Sequence, residues 1–146
     1  MKFLFAFFIA FFGTTIFAAN CSTDLSAADN MMFDKKEIKV DSSCQKFEIN
    51  FKHKGKLPIN VGGHNVVIIE TKSFNALVPK IDMKLGAESG FLPDMPEVIA
   101  KTPIIAGGQE TKLSFDATKL KKAGKYTFLC SFPGHYAIMK GNLVVN

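Results

Sequence analysis

The 146-residue sequence contains no arginine, no tryptophan and only three cysteines. Its 18 cationic residues are therefore all lysines, and with 13 acidic residues they give a formal net charge of +5. Lysine lacks the bidentate fork with which arginine binds phosphate groups, and the net charge is modest for a nucleic-acid-binding domain. We therefore expect no nucleic-acid partner.

Long apolar runs are missing as well, except at the N-terminus. Lys2 precedes a segment of apolar and small residues over residues 3–19, a pattern typical of a secretory signal peptide. The segment is too short, and too soon followed by polar residues, to predict a permanent membrane span. Cleavage after Ala18 would remove residues 1–18 and leave residues 19–146 as a single domain in the periplasm.

Export also affects the interpretation of the cysteines. An oxidising compartment permits one disulfide among the three and leaves one thiol over. Lipid attachment at Cys21 is a disfavoured alternative, because Asn20 stands where a lipobox requires Gly or Ala.

The exported part of the chain has the pattern of an all-β protein. Phe47, Ile49 and Phe51 alternate with polar residues, as in a half-buried strand. Turn-forming residues recur about every ten residues, which predicts a sandwich or barrel of about eight strands. The more continuously apolar stretches 66–69 and 98–106 are predicted to be strands covered on both faces.

One segment departs from the strand pattern. Residues 73–85 carry apolar side chains at intervals of three and four, and Pro79 interrupts them, so we expect a short irregular helix or flap. Residues 86–96 hold two Gly and two Pro and are predicted to form the longest loop.

Soft metal donors are concentrated near the C-terminus. Cys130, His135 and Met139 lie within ten residues, around a Pro-Gly turn between two predicted strands. His64 opens another apolar strand and can supply a fourth donor from a neighbouring loop. Two His and one Cys in a plane, with a distant Met, are the ligands of a blue-copper electron-transfer site.

This donor set favours electron transfer over catalysis. All four positions are filled by protein, so no open position remains for a substrate, and we expect no enzymatic activity. Backbone N–H groups near the thiolate would stabilise its sulfur in the reduced site. Asn65, next to His64, and Phe132, two residues after Cys130, are the expected donors.

The sequence resembles the azurin branch of the cupredoxin family of blue copper proteins. The resemblance is carried by residues 62–66, by residues 130–141 with their Cys-x4-His-x3-Met spacing, and by an early cysteine pair. It implies an eight-stranded Greek-key β-sandwich with one type 1 copper ion per chain. The implied ligands in the plane are His64, Cys130 and His135. The two implied weak axial ligands are Met139 and the carbonyl oxygen of Gly63.

The resemblance also implies a monomeric electron carrier. Its partners would be redox proteins such as c-type cytochromes or copper and haem reductases, docking on an apolar rim where His135 reaches the surface. Cys21 and Cys44 are expected to form a disulfide. A periplasmic copper chaperone or storage protein is the main alternative function, and a Cys-His hydrolase is a third.

Three positions depart from the family pattern. Val66 replaces a tryptophan, which changes core packing but no ligand. Gly62 replaces a methionine, which trims the apolar docking rim. His53 matches a family histidine linked to the copper potential, but lysines flank it here, and we predict a partly buried structural histidine.

Overall fold

The structure is a computed structural model that describes residues 20–146. The predicted signal peptide, residues 1–18, lies outside the described residues. None of the helices within residues 20–146 is long and apolar enough to cross a membrane.

Nine strands and two single-turn α-helices make up most of the regular structure of the described residues. The strands are β1 Ser22–Ala28, β2 Met32–Phe33, β3 Glu37–Val40, β4 Lys46–His53, β5 Val67–Glu70, β6 Val98–Lys101, β7 Glu110–Asp116, β8 Tyr126–Leu129 and β9 Lys140–Val145. The helices are α1 Ile59–Gly62 and α2 Phe74–Leu77.

The strands form two sheets. One has the order β2-β1-β4-β7 and the other β3-β9-β8-β5-β6. The pairs β1/β4 and β3/β9 are parallel, whereas the remaining neighbours are antiparallel. The predicted all-β sandwich with a short helical segment is confirmed.

The alternating pattern of β4 builds the core between the sheets. Phe47, Ile49 and Phe51 are at most 1% exposed, while the polar residues between them face outward. On the neighbouring strand Phe115 pairs with Phe47, and the two ring centroids are 5.9 Å apart. Burial of these large apolar side chains is the main force that holds the sheets together.

The central strand β5 is covered on both faces, as predicted. Val67, Ile68 and Ile69 are fully buried. Ile68 lies in the main core, whereas Val67 and Ile69 join a smaller cluster with Leu77 and Leu92.

The predicted strand over residues 98–106 is wrong in length. Strand β6 ends at Lys101, and its side chains are half-buried rather than covered. Beyond it, Pro103 has no N–H for a ladder, and Ile105 forms an isolated bridge with His64. The end of the apolar run therefore pairs with the loop that carries His64.

The predicted helical flap is confirmed and begins two residues earlier than predicted. Residues 71–89 form α2 and four short 3₁₀ turns, with Pro79 in the turn that directly follows α2. Leu85 is 45% exposed, so the helical spacing that suggested its burial does not persist to that residue. The predicted long loop, residues 86–96, contains one of these turns.

A disulfide joins Cys21 to Cys44, as expected, and Cys130 is a free, buried cysteine. The two bridged residues are 23 apart in sequence. By the loop-closure estimate, such a cross-link contributes roughly 3 kcal/mol to the free energy of unfolding.

Two central strands place the predicted ligands at one end of the sandwich. Strand β5 begins shortly after His64, and β8 ends just before Cys130. The strands are antiparallel, with Val67 opposite Leu129. The loop before β5 and the loop after β8 therefore meet.

Candidate metal centre

Three donor atoms meet in the buried space between these loops. The Nδ1 atoms of His64 and His135 are 3.2 Å apart. The Sγ atom of Cys130 lies 3.9 Å from the first and 3.8 Å from the second. His64 and Cys130 are fully buried, and His135 is 6% exposed.

The orientation of His64 is fixed by its other ring nitrogen. Nε2 lies 2.9 Å from the carbonyl oxygen of Ala28, and because a carbonyl only accepts, Nε2 must carry the proton. The lone pair of Nδ1 then faces Cys130 and His135. Backbone hydrogen bonds to Ile105, at 3.0 and 2.8 Å, hold the residue itself.

The second loop is closed by its own backbone. Gly134 adopts a positive φ of 84°, which a glycine tolerates and which reverses the chain after Pro133. The N–H of Met139 donates to the carbonyl of His135 at 2.7 Å, and the N–H of Cys130 donates to the carbonyl of Met139 at 3.0 Å. The turn thus places both His135 and Met139 beside Cys130.

The spacing of the donors fits one metal ion. Metal bonds of about 2.0 Å to nitrogen and about 2.3 Å to sulfur place trigonal donors about 3.5–3.8 Å apart. The observed separations of 3.2, 3.8 and 3.9 Å bracket these values. His64, Cys130 and His135 are therefore positioned to bind one ion.

The electrostatics of Cys130 also suit a metal ligand. Burial raises the pKa of its thiol to about 12, although the backbone N–H groups of Asn65 and Phe132 act to lower it. A thiolate here consequently needs a cation beside it. The two N–H groups are those expected from the sequence to stabilise the sulfur.

The side chain of Asn65 joins the two ligand loops. Its Nδ2 donates to the carbonyl of Thr102 at 3.1 Å and to Oγ of Ser131 at 2.9 Å. Its Oδ1 accepts the N–H of Ser131 at 2.8 Å. The sequence indicated only the backbone of Asn65; its side-chain contacts depend on loops 66 residues apart.

The comparisons with known proteins agree with this geometry. The model of copper binding proteins of the plastocyanin/azurin family matches residues 19–146. The azurin of Bordetella pertussis is 44% identical over 136 residues, which are 92% of this chain and 90% of that protein. The chain belongs to the plastocyanin/azurin family.

A further relative and a solved structure extend the comparison. The azurin of Pseudomonas aeruginosa is 41% identical over 131 residues, which cover 89% of this chain and 88% of that protein. An azurin (Az-iso2) from Methylomonas sp. strain J superposes with a TM-score of 0.81 at 36% identity, covering 88% of this chain and 99% of that one. Copper is therefore the ion that the donors of this family member bind, a soft thiolate and two borderline imidazoles.

The two predicted axial groups lie in the same buried region. Met139 is fully buried and belongs to the same apolar cluster as Cys130 and Phe132. Gly63 is also buried, and a Cβ at this position would lie 2.6 Å from the carbonyl oxygen of Ile59. Position 63 thus has no space for a side chain. The roles of Met139 and Gly63 as weak ligands stay predictions.

His53 contacts the centre, and the prediction that it is partly buried is wrong. It is fully buried, and its ring stacks on His64 with centroids 4.2 Å apart. Its Nε2 lies 2.8 Å from the carbonyl oxygen of Gly62, and its Nδ1 accepts the N–H of Gly55. The alternation of β4 could have predicted this burial, because His53 has the same parity as the buried Phe47, Ile49 and Phe51.

The metal-free protein should lose stability as the pH falls from about 6.5 to about 4. Burial and the neighbouring His64 and His53 lower the pKa of His135 to about 4, and burial also lowers that of His64. The folded chain therefore binds fewer protons than the unfolded chain, whose histidines titrate near 6.5. The free energy of unfolding then decreases as the pH drops through this window.

Urea unfolding of the metal-free protein at several pH values measures this effect. We expect the urea concentration at the unfolding midpoint to decrease as the pH is lowered from about 6.5 to about 4. In a His135→Asn variant this concentration should depend less on pH. Equal slopes for the two proteins would contradict the assignment to His135.

Proposed function

We propose that this family member is a periplasmic blue-copper protein that carries single electrons between redox proteins. The observation that carries the proposal is the convergence of three buried donors, His64, Cys130 and His135, at separations of 3.2 to 3.9 Å. When bound there, copper supplies a reversible one-electron couple.

Each ligand is held by contacts that do not depend on the metal. We assign His64, Cys130 and His135 as the planar ligands, and Met139 with the carbonyl of Gly63 as the weak axial ones. The Ala28 carbonyl fixes the ring of His64. The N–H groups of Asn65 and Phe132 stabilise the Cys130 sulfur, and ligands held in this way move little when the charge changes.

The burial of the centre supports a carrier rather than an enzyme. His64 and Cys130 are fully buried, and the fully buried ring of His53 stacks on His64 with centroids 4.2 Å apart. The ring of Phe132 lies against His135, with centroids 4.4 Å apart. A substrate therefore has no position beside the ion. An electron can pass to a docked partner through His135, which is slightly exposed.

An apolar rim on the two ligand loops is the proposed docking surface. Ile59 and Val61, just before His64, are 36% and 58% exposed, and Ile138, three residues after His135, is 54% exposed. Exposed apolar side chains on neighbouring loops are typical of protein interfaces. The partners we propose are c-type cytochromes or copper and haem reductases, which dock on this rim. We propose that the carrier itself is a monomer.

Location and boundaries follow from the N-terminal sequence. We propose that residues 1–18 are a cleaved signal peptide and that residues 19–146 form one exported domain. The match of the family model over residues 19–146 and the disulfide between Cys21 and Cys44 support this assignment.

Stopped-flow reduction of the copper-loaded protein by a c-type cytochrome tests the proposed transfer. We expect a second-order reaction that Val61→Asp slows about tenfold, because a charge on the rim must be desolvated on docking. Ser114→Asp adds the same charge at an exposed position of β7 and should have little effect. Equal rates for the two variants would contradict docking on the rim.

The same preparation distinguishes the carrier from a copper chaperone or storage protein. A carrier with buried ligands should keep its copper when mixed with a weak chelator. Rapid and complete loss of copper on mixing would favour the chaperone or storage function.

Met139→Leu should leave the copper site blue and raise its reduction potential. The substitution conserves volume in a fully buried position, so we expect the fold to tolerate it. It removes a weak axial sulfur that favours the oxidised ion, and the potential therefore rises. Voltammetry of the variant beside the unmodified protein measures the change; an unchanged or lower potential would contradict the axial assignment.

A further inference from the structure

One aromatic ring of the helical flap touches the second ligand loop at two points. The ring of Phe74, the first residue of α2, packs edge-on against Tyr136, with centroids 6.4 Å apart and an interplanar angle of 67°. The Nζ atom of Lys140 lies 4.4 Å from the centroid of the same Phe74 ring.

These two contacts flank the ligand segment. Tyr136 directly follows His135, and Lys140 directly follows Met139. Between them, Ile138 is exposed and Met139 is buried in the main core. Phe74 therefore holds the segment at both of its ends, on the side away from the core.

The flap end of this contact is itself anchored. Phe74 and Tyr136 pack against a small buried cluster. It contains Leu77 of the flap, Leu92 of the segment that follows the flap, and three residues of the central strands, Val67, Ile69 and Leu129. Strands β5 and β8 lead to His64 and Cys130. The ring is thus fixed to the same strands that position the other two ligands.

We infer that Phe74 is a positioning residue for the metal centre: its ring clamps Tyr136 and Lys140 and so fixes the segment that carries His135 and Met139. The inference rests on the proposed copper site and goes beyond it, because it assigns a role to the flap. The clamp limits the excursions by which His135 and Met139 would leave the ion.

Phe74→Leu tests the clamp, because leucine keeps apolar packing but removes the aromatic face. The aromatic pair and the cation–π contact are both lost. We expect amide exchange over residues 135–140 of the metal-free protein, and release of copper to excess chelator, each to rise about fivefold. Phe74→Tyr keeps the ring and should restore both rates.

Phe115→Leu is the matched control for general loss of stability. Phe115 is a buried ring on β7 that packs on Phe47, within the other sheet. It should lower the melting temperature at least as much as Phe74→Leu, without a selective increase of exchange at residues 135–140.

A double-mutant cycle with Tyr136→Leu sharpens the test. Because Phe74→Leu already removes the contact with Tyr136, the double variant should release copper little faster than Phe74→Leu alone. Multiplying effects, or equal behaviour of Phe74→Leu and Phe115→Leu, would overturn the clamp. Either result would leave the proposed function standing as long as the unmodified protein shows its copper band, whereas absence of that band would remove the proposed function itself.

Discussion

Cys130→Ser should abolish the intense visible band of the copper-loaded protein completely. The band requires a thiolate bonded to copper, and a serine hydroxyl is neither soft nor ionised under ordinary conditions. The buried thiol is neutral without metal, since burial raises its pKa to about 12. The nearly isosteric hydroxyl should therefore leave the metal-free fold intact.

Absorption spectra and thermal melts of the two proteins check this prediction together. The melting temperatures of the metal-free forms should be close, and only the unmodified protein should become blue with copper. Persistence of the band in Cys130→Ser would show that another residue supplies the sulfur ligand. Met139→Leu, which should stay blue, serves as the control for a buried sulfur outside the plane.

Asn65→Ala should lower the free energy of unfolding by about 3 kcal/mol, because buried polar groups lose their partners. The N–H of Ser131 and the carbonyl of Thr102 both bond to this side chain in a region closed to solvent. The two ligand loops would also lose their direct connection, so copper should be released faster.

Asn50→Ala is the matched control for this substitution. The side chain of Asn50 donates one exposed hydrogen bond to Asp24, at 3.0 Å. Loss of this bond should change the free energy of unfolding by less than about 0.5 kcal/mol. Urea titrations of both variants measure the difference. A similar, small change in both would mean that Asn65 does not join the loops.

Patterns local in sequence predicted most of the sandwich and the three donors that meet at one end of it. The period of two in β4 reflects which residues face the core, and it survives in the structure from Phe47 to Phe51. The Cys-x4-His-x3-Met spacing indicated the site because one tight turn brings His135 and Met139 beside Cys130. His64 was predicted as a further donor because it opens an apolar strand next to the second loop, and the structure places its Nδ1 beside Cys130 and His135.

What the sequence did not show depends on contacts between distant segments. The strand predicted over residues 98–106 stops early because Ile105 pairs with His64 instead of extending the ladder. The stacking of His53 on His64 joins strand β4 to the loop before β5, and the alternation within β4 does not show it. The contact of Phe74 with Tyr136 joins residues that are far apart in the chain, so no local sequence pattern predicts it.

A spectroelectrochemical titration of the copper-reconstituted, unmodified protein tests the central claim most directly. We expect one intense thiolate-to-copper band that bleaches with one electron per chain and returns fully on reoxidation, over repeated cycles. Copper bound without this band, or a band that does not return after reduction, would contradict a one-electron carrier built on His64, Cys130 and His135.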